Sequence, residues 1–130
     1  MISVVTDFRR LQVWRKAHAL ALGVHRVAGK MRGRDEMSLR SQLVRAAMSV
    51  PANIVEGRGQ NTDKQFARFL RIALGSATEL EYHLIVGSDI GAIDHKDFES
   101  LLGQVIEVKK MLIGLLNRVG REKTVVDADG

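Results

Sequence analysis

Cysteine is absent from the 130 residues, which excludes a disulfide frame, a thiolate zinc site and a cysteine nucleophile. Proline occurs once, at Pro51, and aromatic residues make up only 5% of the chain, against an abundance of Leu, Ile, Val and Ala. That scarcity favours helices over a sandwich of short strands. Long apolar runs are missing too. The longest stretch free of charge is Ala46 to Val55, ten residues interrupted by Pro51, where a bilayer span needs about 20. Met1 to Thr6 lacks a basic start and the apolar run of about 7–15 residues that a secretory signal carries. The expectation is a soluble, cytoplasmic protein with no membrane partner.

What is present fills one core. With 45% apolar residues, the chain has enough for a single domain over 1–130, with 1–7 and 121–130 expected to fray. Four periodic segments are divided by three short joints. In the first, Gly33 suits the left-handed close of a helix and Asp35 the cap of the next. In the second, Gly57 and Gly59 precede Thr62 with Gln65 three residues on, the spacing of a capping box. In the third, Gly91 closes a helix, Asp94 caps its successor, and Ile93 with Phe98 occupy the positions of a hydrophobic staple. Helices are therefore expected at about 11–31, 36–57, 62–90 and 94–119. Joints this short predict an all-α, antiparallel, up-down-up-down four-helix bundle.

Periodicity supports this helix by helix. The first gathers Val13, Trp14, Ala17, Leu20, Val24 and Val27 on one face and sets Arg15, Arg26 and Lys30 opposite, with Lys16 at their edge. The fourth is written in heptads, Phe98, Val105, Leu112 and Val119 at one seam position and Leu101, Val108 and Leu115 at the other. The second and third carry a surplus. Beside its core stripe the second has Val44, Met48, Pro51 and Val55, and the third adds Leu74 and Ile85 outside its own. Apolar stripes of this kind point to contact between subunits. Pro51 is expected to kink the second helix, since it removes one donor and pushes on the carbonyl of Ala47.

Catalytic chemistry is not legible. The Glu-x-x-His spacing of di-iron bundles is missing. Glu79 and His83, four apart, read as an interaction between neighbouring turns. His18 and His25 fall at one margin of the first helix, as rim residues. The turn at Gly57, Arg58 and Gly59 lacks the Gly-Lys-Ser/Thr ending and the preceding strand of a phosphate loop. No catalytic residue, metal site or cofactor is expected, and the chain is not expected to be an enzyme.

Charge is more informative. Twenty Lys and Arg face fifteen Asp and Glu, a formal +5. Residues 1–45 hold ten cations against three acids, a net of +7, and the remainder is nearly balanced at −2. Arg9, Arg10, Arg15, Lys16, Arg26, Lys30, Arg32, Arg34 and Arg40 thus form the candidate surface for an anionic partner, most of them arginines suited to bidentate phosphate contacts.

Three blocks carry a family resemblance: Phe8-x-x-Leu11-x-Val13-Trp14-x-x-Ala17, then Leu39 through Arg45-Ala46-Ala47 to Ser49-Val50-Pro51-Ala52-Asn53-Ile54-Val55-Glu56-Gly57, then Phe69-Leu70 through Gly75-Ser76 to Glu79-Leu80-Glu81. Over about residues 8–119 the chain resembles the four-helix-bundle family of 23S ribosomal-RNA intervening-sequence proteins. That family is in turn similar to the accessory variability protein of diversity-generating retroelements, a basic pentameric ring that assists a reverse transcriptase. The resemblance implies a bacterial homopentamer associated with nucleic acid or a polymerase, with no established activity. It maps Arg45, Asn53, Glu56, Ser76, Glu79 and Glu81 onto the family's polar positions, as an interhelical or intersubunit network. The resulting expectation is a non-enzymatic, oligomeric protein that binds RNA or DNA through its basic N-terminal surface. The alternative is a scaffold that docks an acidic or polymerase partner.

Overall fold

The computed structural model describes residues 7–129, with side chains described for 7–120. Within these the chain forms four α-helices and no strand: α1 (Gln12–Ala28), α2 (Met37–Arg58), α3 (Asp63–Asp89) and α4 (His95–Asp129), with single 3-10 turns at Phe8–Arg10 and Arg34–Glu36. α1 stops three residues before the expected end because Lys30 and Met31 donate to the carbonyls of Val27 and Ala28, tightening the chain out of the α form. Met31 stays in the core all the same.

The joints differ in how well local chemistry foretells them. At the first, Gly33 is extended (φ −70°, ψ 144°) instead of left-handed, and Asp35 sits inside the 3-10 turn that leads into α2 without a side-chain cap. At the second, Thr62 Oγ1 accepts from the Gln65 amide at 3.1 Å, the hydroxyl half of the expected box. At the third, Gly91 takes φ +77°, and the amides of Ala92 and Ile93 return to the carbonyl of Gly87. Asp94 Oδ1 then accepts from the Asp97 amide at 2.8 Å, while Ile93 is buried and Phe98 packs against the core. α4 does not end at 119 but runs to Asp129. Of the segments expected to fray, residues 1–6 and the side chains of 121–130 lie outside the described residues.

Each helix packs on two neighbours: α1 on α2 and α4, and α3 on α2 and α4, with the α2 and α3 contact the most extensive. The fully buried centre is Leu20, Leu43, Ile54, Leu70, Leu80, Leu84 and Leu112 with Val24, Val50, Val105 and Val108, and no polar or charged residue among those described is buried with them. Small residues explain the close approach of α2 to α3. Ala46, Ala47, Ala73 and Ala77 are all buried, and a Cβ on Gly57 would stand 2.8 Å from Phe69 Cβ and 3.1 Å from Phe66 Cδ1. Further along the same contact Ser49 meets Ser76, Arg45 meets Glu79, and Leu39 lies against Gly87. Between α1 and α4, Lys16 meets Glu107, Gly23 meets Leu101, and Lys30 meets Asp97.

Pro51 departs from its expected place. α2 continues through it, and its ring is buried within the single chain, so it belongs to the intrachain packing and not to an exposed stripe.

Candidate functional site

The tertiary arrangement redistributes the basic residues. Lys16 of α1 and Lys30, just past its end, reach across to α4, Lys16 to Glu107 at 3.4 Å and Lys30 to Asp97 at 2.9 Å. Arg26 remains exposed on α1. Arg32, Arg34 and Arg40 belong to the end where Lys30, beside the first joint, meets Asp97 of α4 and Leu39 meets Gly87 near the close of α3. There Lys30 is paired with Asp97, and Asp35, Glu36, Asp89 and Asp94 are further acids of the same stretches, with Lys96 a further cation. Only Arg9, Arg10 and Arg15, of the residues singled out in the sequence, stand at the opposite end. Arg15 Nη1 donates to the carbonyl of Arg9 at 2.9 Å, and Arg10 pairs with Asp7 at 3.2 Å.

That opposite end is a basic pole built from all four helices. The Phe8–Arg10 turn packs on both α1 and α2. A hollow of about 430 Å³ joins Leu11, Gln12 and Val13 of the α1 start to Lys110, Met111, Gly114, Leu115 and Arg118 of α4. A smaller one joins Asp63, Lys64, Ala67 and Arg71 of α3 to Leu116, Val119 and Gly120. Gly57 at the end of α2 lies against Phe66 and Phe69 of α3. Together these contacts collect Arg58, Lys64, Arg68, Arg71, Lys110 and Arg118 beside Arg9, Arg10 and Arg15, with Asp7, Glu56 and Asp63 as the acids of the same sequence stretches. Three guanidinium groups here lie over phenyl rings: Arg9 on Phe8 and Arg58 on Phe66 at 5.8 Å, Arg68 on Phe69 at 5.3 Å. Ring contacts of this kind restrain a long side chain without neutralising it. The Nε of Arg58 is buried and has no hydrogen-bond partner among the described residues.

The six cations outside the N-terminal third were missed because a net charge counted along the chain cannot see which ends meet. The signal was available in the positions themselves: Lys64, Arg68 and Arg71 open the third helix, while Arg58 closes the second and Arg118 stands late in the fourth.

The polar positions implied by the family resemblance separate into two groups. Between α2 and α3, Ser49 Oγ and Ser76 Oγ share a 2.7 Å hydrogen bond, Asn53 Nδ2 donates to both the carbonyl and the hydroxyl of Ser49, and Arg45 Nη2 reaches Glu79 at 3.1 Å. Glu79 also meets His83, one turn on, at 3.5 Å. Glu81 instead pairs with Lys109 of α4 at 2.8 Å, with both side chains 27% exposed. Glu56 stays exposed, and its backbone carbonyl accepts from Gln60. The Arg45 and Glu79 side chains are 65% and 43% exposed, so this pair is a surface ion pair worth about 0–1 kcal/mol and not a buried charge.

Two exposed apolar faces remain, on opposite sides. On the α1 and α2 side, Leu22, Met37 and Met48 are exposed and Val44 and Val55 half-buried, beside a shallow hollow lined by His25, Met37, Arg40, Ser41 and Val44. On the α3 and α4 side stand Tyr82, Ile85, Ile106 and Ile113, with Leu74 and Leu102 half-buried. The other two sides, α2 with α3 and α4 with α1, carry the polar and ionic contacts already described, with exposed Ile72 one turn before Ser76 on the first of them.

Among the described residues no group of three His, Asp or Glu side chains is placed to hold a metal ion, and no helix is long and apolar enough to cross a membrane.

No curated protein matches the chain. Among solved structures it is similar to a protein of unknown function from the S23 ribosomal protein family, from Bacteroides thetaiotaomicron, with 27% identity and a TM-score of 0.76 over 80% of this chain and 97% of that one. The model of the 23S rRNA-intervening sequence protein family matches residues 9–114, which takes in α1, α2, α3 and the heptads of α4 up to Gly114. With both the three sequence blocks and the helical frame that carries them in agreement, the chain belongs to the 23S rRNA-intervening sequence protein family.

Proposed function

We propose that this protein is a non-enzymatic, cytoplasmic homo-oligomer that binds RNA or DNA through the phosphate backbone, and that the basic pole is the binding surface. The observation that carries the reading is the convergence of Arg9, Arg15, Arg58, Lys64, Arg68 and Arg118 from four helices onto one end. A polyanion is attracted by the summed field of such a surface, and each phosphate contact releases counterions. Contacts of this type favour charge and shape over base sequence.

The reading includes an up-down-up-down course of the helices. Supporting it, residue numbers rise on one helix as they fall on its neighbour, from Leu39 with Gly87 to Gly57 with Phe66, and from Lys16 with Glu107 to Lys30 with Asp97. It also includes subunit contact through the two apolar faces. Because they differ in composition and lie on opposite sides, the α1 and α2 face of one copy suits the α3 and α4 face of the next. A heterologous contact of that kind closes into a ring when its rotation allows. Five subunits is the number the family resemblance implies.

Titration of a labelled RNA or DNA strand across salt concentrations tests the reading. The double variant Arg58→Glu, Arg68→Glu is expected to weaken binding and to lower the slope of log K against log salt by about 1–2, since each lost phosphate contact removes about 0.9. Arg32→Glu, Arg34→Glu, at the other end, is expected to change it little. The reverse ranking would return the site to the N-terminal stripe. Binding that is absent at low salt would remove the nucleic-acid reading.

A further inference from the structure

The hollow between the start of α1 and the late turns of α4 is the larger of the two described at the pole, and no acidic side chain lines it. Leu11, Val13, Met111 and Leu115 line it with apolar groups, while Lys110 and Arg118 of α4 bring two cations to the same hollow and Gln12 an amide. Gly114 holds it open: a Cβ built there meets nothing within 4 Å among the described residues. Glycine in the middle of a helix costs about 1 kcal/mol relative to alanine, yet here no neighbour requires it for packing. At about 430 Å³ the hollow is within the range of small-ligand sites. It also lies on the α1 and α4 side, away from both exposed apolar faces.

We infer that this hollow accepts one unpaired nucleotide of a bound strand, its base against the apolar floor and its phosphate between Lys110 and Arg118. Three features select that occupant. A flat apolar base matches a floor of aliphatic and thioether groups. An anionic phosphate attached to it matches two cations in the same hollow. The amide of Gln12 supplies both a donor and an acceptor for a base edge, of either identity. A paired base has its faces covered by its neighbours and cannot enter, so the hollow discriminates for single strands, loops or ends. This rests on the proposed phosphate binding at the basic pole and specifies the kind of nucleic acid that it takes.

The test compares four probes in fluorescence polarisation at low salt with the full chain: an oligouridylate of about 12 nucleotides, its deoxy counterpart, an abasic strand of the same phosphate count, and a duplex. The two strands with bases are expected to bind about tenfold tighter than the abasic strand and the duplex. A difference between the ribose and deoxyribose strands assigns the source as RNA or DNA. Gly114→Leu plugs the hollow from a half-buried helix position, and is expected to bring the strands with bases down to the abasic level, to lower the salt slope by no more than the one phosphate contact held there, about 0.7, and to leave the far-ultraviolet circular dichroism unchanged. Gly114→Ala, too small to fill it, is expected to keep most of the preference. Equal affinity for abasic and complete strands, or an unchanged preference in Gly114→Leu, overturns the inference while phosphate binding stands. If no probe binds at low salt, the phosphate-binding reading falls with it.

Discussion

Glycines at two kinds of position separate packing from surface. At Gly57 the would-be Cβ collides with Phe69 Cβ, an atom tied to the backbone of α3 that cannot swing aside. Gly57→Ala is therefore expected to force α2 and α3 apart and to cost about 1–3 kcal/mol, read as a lower urea midpoint. Gly103 has nothing within 4 Å of the same construction among the described residues and sits exposed in α4. There the alanine variant is expected to stabilise by about 0.4–1 kcal/mol, through lower backbone entropy in the unfolded chain. Opposite signs at two helical glycines test the packing directly. The Ser49 and Ser76 hydroxyls, both half-buried, are each other's partner at 2.7 Å across the α2 and α3 contact, and Ser49 Oγ also accepts from Asn53 Nδ2. Ser76→Ala removes that partner, and a loss of about 1 kcal/mol is expected in the same measurement.

Among the elements, helix starts are set by different means, and substitution distinguishes them. Asp94 accepts from the Asp97 amide and Thr62 from the Gln65 amide, so Asp94→Ala and Thr62→Ala are each expected to lower stability by about 1 kcal/mol. Asp35→Ala is expected to stay within about 0.5 kcal/mol, because α2 begins from a 3-10 turn in which Asp35 caps nothing. Thermal or urea unfolding of the three variants side by side checks the ranking. Two of the three joints were legible because capping is local: acceptor and donor lie three residues apart. The first was not, since Gly33 is held extended by a turn whose shape depends on where Met31 must be buried.

For the molecule as a whole, the disposition of surface matters more than its amount. Exposed Met48 and exposed Ile113 lie on opposite apolar sides. Met48→Glu and Ile113→Glu are each expected to break assembly while leaving helicity intact, since neither residue is in the core. Mixed together, each variant still has one good face, and the mixture is expected to form pairs and no larger species under light scattering. Recovery of the full assembly on mixing would contradict a head-to-tail contact, and equal loss of helicity would place these residues in the fold. Charge follows the same logic. The +7 of residues 1–45 is real in the sequence but is divided between the two ends, and at one of them Lys30 is paired with Asp97 of α4.

By itself the sequence determined the helices, the core stripe of each, two of the caps and the surplus of apolar surface, because all of these are read at separations of a few residues, where helical geometry decides which side chains share a face. The family could be recognised at the same level, from residues standing in fixed local order. Only the tertiary structure decided which charges act together. Arg58, Lys64 and Arg118 are remote in the chain from Arg9 and come to the same end when the helices pack, so the basic pole and the hollow beside Gly114 exist in no single segment. Pro51 was misplaced for the same reason: a helical wheel gives its direction, and only the packed neighbours show that this direction is inward.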